Sequence, residues 1–227
     1  AGRGERMRPL TDTTPKPLAT VAGKALIDHV LDRLAEAGVE RAVVNLWYLG
    51  SVIERHLVDR QKPRIILSRE DRLLDTGGGV VQALPELAGN DGAGPFFVLS
   101  SDTLWCETGT PALARLTAAW DDNAMDALLL LQPLEAATGF AGAGDFFMDG
   151  DGRLARRGDA AAAPFAYMSV QIIHPRAFID CPAGAFSNNR VWDRALANHR
   201  LFGLVHHGDW FHVGDLASLA EADRLMP

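Results

Sequence analysis

Apolar residues follow two alternating patterns through the first part of the chain. In some segments they recur every three or four residues, which is typical of helices that bury one face. In others they form short apolar runs rich in β-branched residues, which are typical of buried strands. The helical pattern covers residues 24–37, 50–58, 76–87 and 111–120, and the strand pattern covers residues 41–47, 64–68, 95–101 and 127–131. This alternation predicts an α/β fold with a mainly parallel sheet and helices on both faces.

The pattern changes after Pro133, where Gly and Asp become frequent. The sequence GDFFMD, a Gly-Asp-Gly turn and RLARR predict a β-hairpin within residues 139–158. Further strands are predicted at 165–173, 201–206 and 210–213, and helices at 189–199 and 216–225. Because neither a linker nor an internal repeat is visible, residues 1–227 are predicted to form a single domain with a β-rich second part.

Composition and charge narrow the class of protein. The chain of 227 residues is 48% hydrophobic and 22% charged, which is ordinary for a globular protein. The formal net charge of −7 argues against a nucleic-acid partner, although a local basic loop can still bind a small anion. Cys106 and Cys181 form no CxxC pair, so a zinc site or disulfide framework is not expected. With no signal peptide and no apolar run of membrane-spanning length, we expect a cytoplasmic protein without a membrane partner.

The first eighteen residues, AGRGERMRPLTDTTPKPL, form a Gly-rich basic stretch. Gly2 and Gly4 allow tight turns that bring backbone N–H groups close to an anion, and Arg6 and Lys16 add positive charge. The stretch therefore indicates a phosphate-binding loop, with a terminus of no fixed structure as the alternative. Since the sequence begins at Ala1 without Met or a strand before the loop, we expect native residues to precede it.

Two further features are typical of a ligand site in an α/β protein. Asp102 directly follows an apolar strand, and ligands of open α/β sheets bind beyond the carboxyl ends of strands. A carboxylate there could bind Mg²⁺ or simply cap a turn. Three glycines, Gly77–Gly79, follow Thr76 at a helix start and would let a planar base approach closely, whereas Asp75 or Thr76 could equally be a plain N-cap.

These motifs, with GAGDFF and the terminal WFHVGD, resemble the sugar-phosphate nucleotidylyltransferases over nearly the whole chain. The compact length and the LDTGGG and GDF motifs look most like the bacterial N-acetylmuramate-1-phosphate uridylyltransferases. The resemblance implies a Rossmann-like, GT-A-like nucleotidyltransferase fold with a mixed central sheet flanked by helices. It implies a nucleotide-binding part over about residues 1–132 and a sugar-binding part over about residues 133–227, and a strand just before Ala1.

The activity that the resemblance implies is Mg²⁺-dependent transfer of UMP from UTP to a sugar 1-phosphate, in peptidoglycan sugar recycling. The favoured sugar is N-acetylmuramic acid 1-phosphate, and the expected protein is a monomer or small homo-oligomer. Glucose-1-phosphate uridylyl transfer, mannose-1-phosphate guanylyl transfer and a non-catalytic nucleotide-sugar-binding relative are the alternatives. A dinucleotide-dependent oxidoreductase is disfavoured because GRGERM lacks the third glycine of GxGxxG.

The resemblance also implies roles for individual residues. Arg6, Lys16 and Asp102 would be catalytic, with Lys16 neutralising charge at the reacting phosphate and Asp102 holding Mg²⁺. The expected binding residues are Gly2, Gly4 and Arg6 for the triphosphate, Thr76, Gly77 and Gly78 for uracil, and Asp145 and Ser169 for the sugar.

Three stretches depart from the family pattern: the closing motif, Ser100-Ser101, where the family commonly has Asn-Gly or a similar pair before the Asp, and Ser169. The family usually closes with W-x-D-V-G-T, whose Asp is a second metal ligand, but His212 stands at that position. A neutral imidazole is a poor Mg²⁺ ligand, so His212 would bind the metal through water or bind phosphate directly. Asp215 replaces the Thr and is either a displaced ligand or, as we favour, the N-cap of the helix that starts at Leu216. Ser169 replaces a Gly that often faces the sugar.

Overall fold

The computed structural model describes residues 2–87 and 94–226. Within these residues the α-helices are α1 (Leu26–Glu36), α2 (Gly50–Leu57), α3 (Asp75–Leu87), α4 (Ala112–Ala119), α5 (Asn189–Ala197) and α6 (Leu216–Leu225). The strands are β1 (Thr20–Val21), β2 (Lys24–Ala25), β3 (Arg41–Leu46), β4 (Arg64–Arg69), β5 (Phe96–Leu99), β6 (Thr103–Trp105), β7 (Ala127–Pro133), β8 (Ala137–Thr138), β9 (Phe146–Met148), β10 (Leu154–Arg156), β11 (Phe165–Ile173), β12 (Leu201–Val205) and β13 (Trp210–His212). The predicted helices are confirmed, and the apolar pattern missed the short strands β1, β2, β6 and β8.

The largest sheet is mixed rather than mainly parallel. Its strands run in the order β10-β9-β11-β7-β12, and β5 also pairs with β11. Strand β11 is antiparallel to β5, β7 and β9, whereas β12 is parallel to β7. The expectation of a mainly parallel sheet is therefore wrong, and the mixed sheet is confirmed. The reason is that the chain between β7 and β11 carries a hairpin and no α-helix, and parallel neighbours usually need a helical crossover.

A second, smaller sheet joins distant parts of the chain. Strand β13 lies between β6, to which it is antiparallel, and β8, to which it is parallel. Its register places His212 opposite Thr103, and the Val213 N–H donates a hydrogen bond of 2.9 Å to the Asp102 carbonyl. Strands β12 and β13, although nearly consecutive in sequence, therefore belong to different sheets, and β13 brings the C-terminal part of the chain to Asp102.

The core lies on both faces of β7, whose residues alternate between two apolar clusters. Leu128 and Leu130 pack in a cluster with residues of α1, α2 and α4. Leu129 and Leu131 pack in another cluster with residues of α3 and α5. A strand that is covered on both faces has a continuous apolar sequence, which explains the run ALLLL in β7. Helices on both faces of the sheet are thus confirmed, while the division of the chain near residue 132 stays a prediction.

His206, just after β12, should make the stability of the fold depend on pH. The residue is 2% exposed, and within the described residues neither ring nitrogen makes a hydrogen bond of good geometry, although the backbone of Cys106 and Asp209 lies near the ring. Burial lowers its pKa below the ordinary value of 6.5. The unfolded chain therefore binds more protons below that pH, and the free energy of unfolding falls on acidification, by at most about 1.4 kcal/mol per pH unit for one group.

We expect His206→Gln to flatten this dependence, as measured by urea unfolding between pH 7.5 and 5. Burial also lowers the pKa of His174 and of His212, so part of the slope persists in the variant. Equal slopes in the two proteins would contradict a contribution from His206.

Candidate functional site

The N-terminal stretch forms a folded loop that packs against itself. Gly4 has a φ of +66°, and a Cβ there would lie 3.0 Å from Thr11 Cγ2 and 3.1 Å from Lys16 Cβ. Thr11 Oγ1 donates a hydrogen bond of 2.9 Å to the Gly4 carbonyl. Glycine suits this position because it adopts positive φ readily and leaves room for the returning chain. The loop thus packs against itself at Gly4, whereas a Cβ at Gly2 would meet no atom within 4 Å.

A charged cluster links this loop to the end of β5. Lys16 Nζ lies 2.6 Å from Asp102 Oδ2, and the two side chains are only 13% and 24% exposed. Arg6 and His212 flank Gly214, where a Cβ would lie 3.3 Å from Arg6 Nη1 and 3.2 Å from His212 Nε2. The fold therefore brings together the three residues predicted to be catalytic and the residue predicted as an additional metal contact, although they come from three distant parts of the chain.

His212 is held in its neutral form at the edge of this cluster. Burial lowers its pKa below 6.5, and the positive charges of Lys16 and Arg6 act in the same direction while Asp102 opposes them. Its ring packs against Phe140 and Trp210, with centroid separations of 6.1 and 5.9 Å. A neutral imidazole offers one donor and one acceptor nitrogen. It can thus contact a phosphate oxygen or a water molecule, and its role as a metal contact stays a prediction.

Asp215 caps helix α6. Its carboxylate accepts a hydrogen bond of 2.8 Å from the Ser218 N–H, and the Ser218 hydroxyl accepts one of 3.0 Å from the Asp215 N–H. These reciprocal bonds form a capping box, which confirms the N-cap interpretation. Hydrogen bonds from Ser218 also hold the pKa of Asp215 below its usual value.

Removal of this cap should affect stability and leave metal dependence intact. We expect Asp215→Ala to lower the free energy of unfolding by about 1 kcal/mol, because the first turn of α6 loses an acceptor. Asp215→Ser, which preserves a capping oxygen, should lower the free energy of unfolding much less. Urea unfolding measures both effects. A shift in the Mg²⁺ concentration needed for activity in Asp215→Ala would instead indicate a displaced metal ligand.

The glycines at the start of α3 are approached closely by the protein itself. A Cβ at Gly77 would collide with the Phe186 ring, and one at Gly78 would collide with the Gly184 carbonyl. The Gly77 and Gly78 N–H groups both donate to the Phe186 carbonyl, at 2.8 and 3.1 Å. Thr76 Oγ1 accepts the Asn188 N–H at 2.9 Å. Segment 184–188 thus gives a structural reason for these glycines, and contact of Thr76, Gly77 and Gly78 with uracil stays a prediction.

The two residues expected to face the sugar both contact or belong to strand β11. Ser169 has a φ of +60° within the irregular stretch of β11, and its carbonyl accepts the Ser100 N–H at 3.0 Å. Because positive φ is uncommon for residues other than glycine, this backbone explains why a Gly would fit here. Asp145 Oδ2 accepts the Tyr167 N–H at 2.8 Å, so its carboxylate also holds the edge of β11. Their contact with sugar stays a prediction.

Gly139 and Phe140 contact the site and were not singled out in the sequence. Gly139 has a φ of +73°, and a Cβ there would lie 2.5 Å from the His212 carbonyl oxygen. Phe140 packs on Trp210, with ring centroids 5.6 Å apart, and on His212. Their only signal in the sequence is a glycine followed by an aromatic residue, which is too common to indicate a site.

The donor set around Asp102 fits magnesium only together with a substrate. Across residues 2–87 and 94–226, no group of three or more His, Cys, Asp or Glu side chains could hold a metal ion. Magnesium in phosphate-binding sites is usually held by one or two carboxylates together with phosphate oxygens. Asp102 is a suitable single carboxylate for that arrangement.

No helix in the described part of the chain has the length and apolar character needed to span a membrane.

Comparison with known proteins shows which family and which structures the chain is similar to. The model of the nucleotidyl transferase family matches residues 1–143. The chain is 44% identical to N-acetylmuramate alpha-1-phosphate uridylyltransferase of Caulobacter vibrioides, over 99% of this chain and 94% of that protein. It is 34% identical to the protein of the same name from Neisseria meningitidis serogroup B, over 99% and 95% of the two chains. The crystal structure of an apo UDP-glucose pyrophosphorylase superposes with a TM-score of 0.75 at 16% identity, over 99% and 94% of the chains.

Proposed function

The chain belongs to the nucleotidyl transferase family, and on this premise we propose that it transfers UMP from UTP to N-acetylmuramic acid 1-phosphate, with release of pyrophosphate. The observation that carries the choice of substrates is the 44% identity to the Caulobacter uridylyltransferase, because it extends over 99% of the chain and so includes the part predicted to bind the sugar. The product would be a UDP-sugar available for reuse in peptidoglycan synthesis.

In the proposed reaction the nucleophile comes from the substrate. A phosphate oxygen of the sugar 1-phosphate attacks the α-phosphorus of UTP, and the bond between the α-phosphorus and the bridging oxygen of the β-phosphate breaks. Pyrophosphate leaves with the electron pair of that bond. Because the attacking oxygen is already anionic near pH 7, neither a general base nor a nucleophilic side chain is needed. Catalysis then consists mainly of alignment and charge neutralisation.

Arg6 and Lys16 supply the fixed positive charge for this role. Lys16 lies next to Asp102 and is held there by its ion pair of 2.6 Å, and Arg6 lies close to Gly214, beside His212. A preorganised cation in a partly buried site stabilises developing charge better than a mobile surface cation does. The ion pair keeps Lys16 in place before the substrate binds.

Asp102 and phosphate oxygens of the substrate would hold Mg²⁺, which neutralises phosphate charge when it is bound. The neutral His212 lies beside Asp102 and is a candidate to donate a hydrogen bond to a phosphate oxygen or to a water molecule. Gly4 and its neighbours in the N-terminal loop would offer backbone N–H groups to the triphosphate.

The proposal is tested by measuring pyrophosphate release from a panel of substrates. UTP, GTP and dTTP are each combined with N-acetylmuramic acid 1-phosphate, glucose 1-phosphate or mannose 1-phosphate, in Mg²⁺ buffer and in EDTA. We expect the highest kcat/KM for UTP with N-acetylmuramic acid 1-phosphate, and no release in EDTA. A preference for another pair would overturn the choice of substrates, and nucleotide binding without any pyrophosphate release would indicate a non-catalytic relative.

A further inference from the structure

The end of β3 contacts both elements that form the predicted nucleotide site. Asn45, within β3, donates a hydrogen bond of 3.0 Å from Nδ2 to the Gly79 carbonyl of α3. Tyr48, two residues beyond the strand, donates one of 2.9 Å from its hydroxyl to the Thr11 carbonyl in the N-terminal loop. A stretch of four residues thus connects the glycine-rich helix start to the basic loop.

Thr11 contacts both Tyr48 and Gly4, and so connects the Tyr48 hydroxyl to the glycine of the loop. Its side chain is 1% exposed, and its Oγ1 donates to the Gly4 carbonyl at 2.9 Å. The same carbonyl accepts the Met7 N–H at 2.9 Å, which fixes the turn that carries Arg6. Gly4 packs in turn against Thr11 Cγ2 and Lys16 Cβ. The Tyr48 hydroxyl therefore lies at the start of a chain of contacts that leads to both cations of the site.

A second contact from the same segment supports the loop. The Arg3 guanidinium lies over the Trp47 ring, with 5.5 Å between Cζ and the ring centroid. Cation–π contacts of this kind are modestly stabilising at partly exposed sites. The basic loop is thus attached to residues 47–48 at two points, one on each side of Gly4.

We propose that Tyr48 is a positioning residue for the nucleotide, and that its hydroxyl, acting through Thr11, preorganises the loop that carries Gly4, Arg6 and Lys16. This inference rests on the proposed function only in taking a nucleoside triphosphate as the ligand of the loop. A loop that is already ordered loses less conformational entropy when it binds a ligand. Loss of the Tyr48 hydroxyl should therefore weaken nucleotide binding selectively.

The test compares Tyr48→Phe with the native chain. We expect the Kd for UTP with Mg²⁺, measured by calorimetry without a sugar phosphate, to rise by about threefold to tenfold, the range for loss of one intramolecular hydrogen bond. The KM for UTP should rise by the same factor, while the KM for the sugar 1-phosphate and the melting temperature change little.

A matched pair of Thr11 variants tests the hydrogen bond from the Thr11 hydroxyl to the Gly4 carbonyl. Thr11→Val removes the hydroxyl while keeping the shape and should weaken UTP binding, whereas Thr11→Ser keeps the donor and should restore it. Thr117→Val is the control, because this hydroxyl donates to the Leu113 carbonyl within α4, away from the loop. It should leave the Kd for UTP unchanged.

The inference is overturned if Tyr48→Phe leaves the Kd for UTP unchanged. It is also overturned if both KM values and the melting temperature change in parallel, since that pattern reflects general loosening of the fold. If the native protein binds UTP but releases no pyrophosphate, the proposed reaction fails while the comparison of UTP affinities still decides the role of Tyr48. If the native protein binds no nucleotide, both proposals fail.

Discussion

Replacement of Lys16 by alanine is expected to lower kcat by about 10²-fold or more, the scale seen when one preorganised electrostatic group is removed from an active site. The Lys16 side chain is 13% exposed and its Nζ lies 2.6 Å from Asp102 Oδ2, so its charge is held in place to act on the reacting phosphate as predicted. Solvent cannot replace this charge efficiently because water must reorganise during the reaction. The measurement is pyrophosphate release at saturating UTP and sugar 1-phosphate.

Lys24→Ala is the matched control for that experiment. Lys24 is 47% exposed and pairs with Asp32 on the surface, so the same substitution there should leave kcat unchanged. Surface ion pairs of this kind contribute little to stability. Turnover of Lys16→Ala near that of the native protein at saturating substrate would show that Lys16 has no catalytic role.

Asp102→Asn is expected to lower activity by about 10²-fold and to raise the Mg²⁺ concentration needed for half-maximal rate. The amide keeps the size of the side chain but loses the negative charge that would attract the metal. The backbone contact is retained, because the Val213 N–H donates to the Asp102 carbonyl rather than to its side chain. The Mg²⁺ dependence should be measured both for pyrophosphate release and for the affinity of the protein for UTP.

Two controls separate loss of metal binding from loss of stability. Asp151→Asn removes a carboxylate that is 78% exposed in the hairpin turn, and it should change neither the Mg²⁺ titration nor the rate. Urea unfolding of Asp102→Asn reports the cost of leaving Lys16 without its partner. If the Mg²⁺ midpoint of Asp102→Asn matches that of the native protein, Asp102 does not hold the metal.

Local sequence patterns were sufficient to predict most of the helices and strands. Spacing of apolar residues predicted the helix α1 and the buried strand β7, because both patterns depend only on which side chains face the core. The cap of α6 was also predictable, since Asp215 and the helix that it starts are adjacent in sequence. Asp102 could be recognised as a strand-end carboxylate for the same reason.

Pairing between strands could not be read from these patterns. Alternating strands and helices predicted a mainly parallel sheet, yet β11 runs antiparallel to three of its neighbours. Local periodicity reports burial, whereas the direction and partner of a strand depend on connections and contacts distant in sequence. The glycines of α3 illustrate the same limit, because Phe186, which approaches them, lies more than 100 residues further along the chain.

The sequence by itself therefore determined the succession of the helices and longer strands and, through motif resemblance, the family, and it predicted the residues of the site. Only the tertiary structure decided which residues meet. Antiparallel pairing of β6 with β13 puts His212 beside Asp102, and folding of the N-terminal loop puts Lys16 on the carboxylate. Such contacts arise from long-range packing, in which the stabilisation that each contact contributes depends on the other contacts. The local spacing of apolar residues therefore does not predict them.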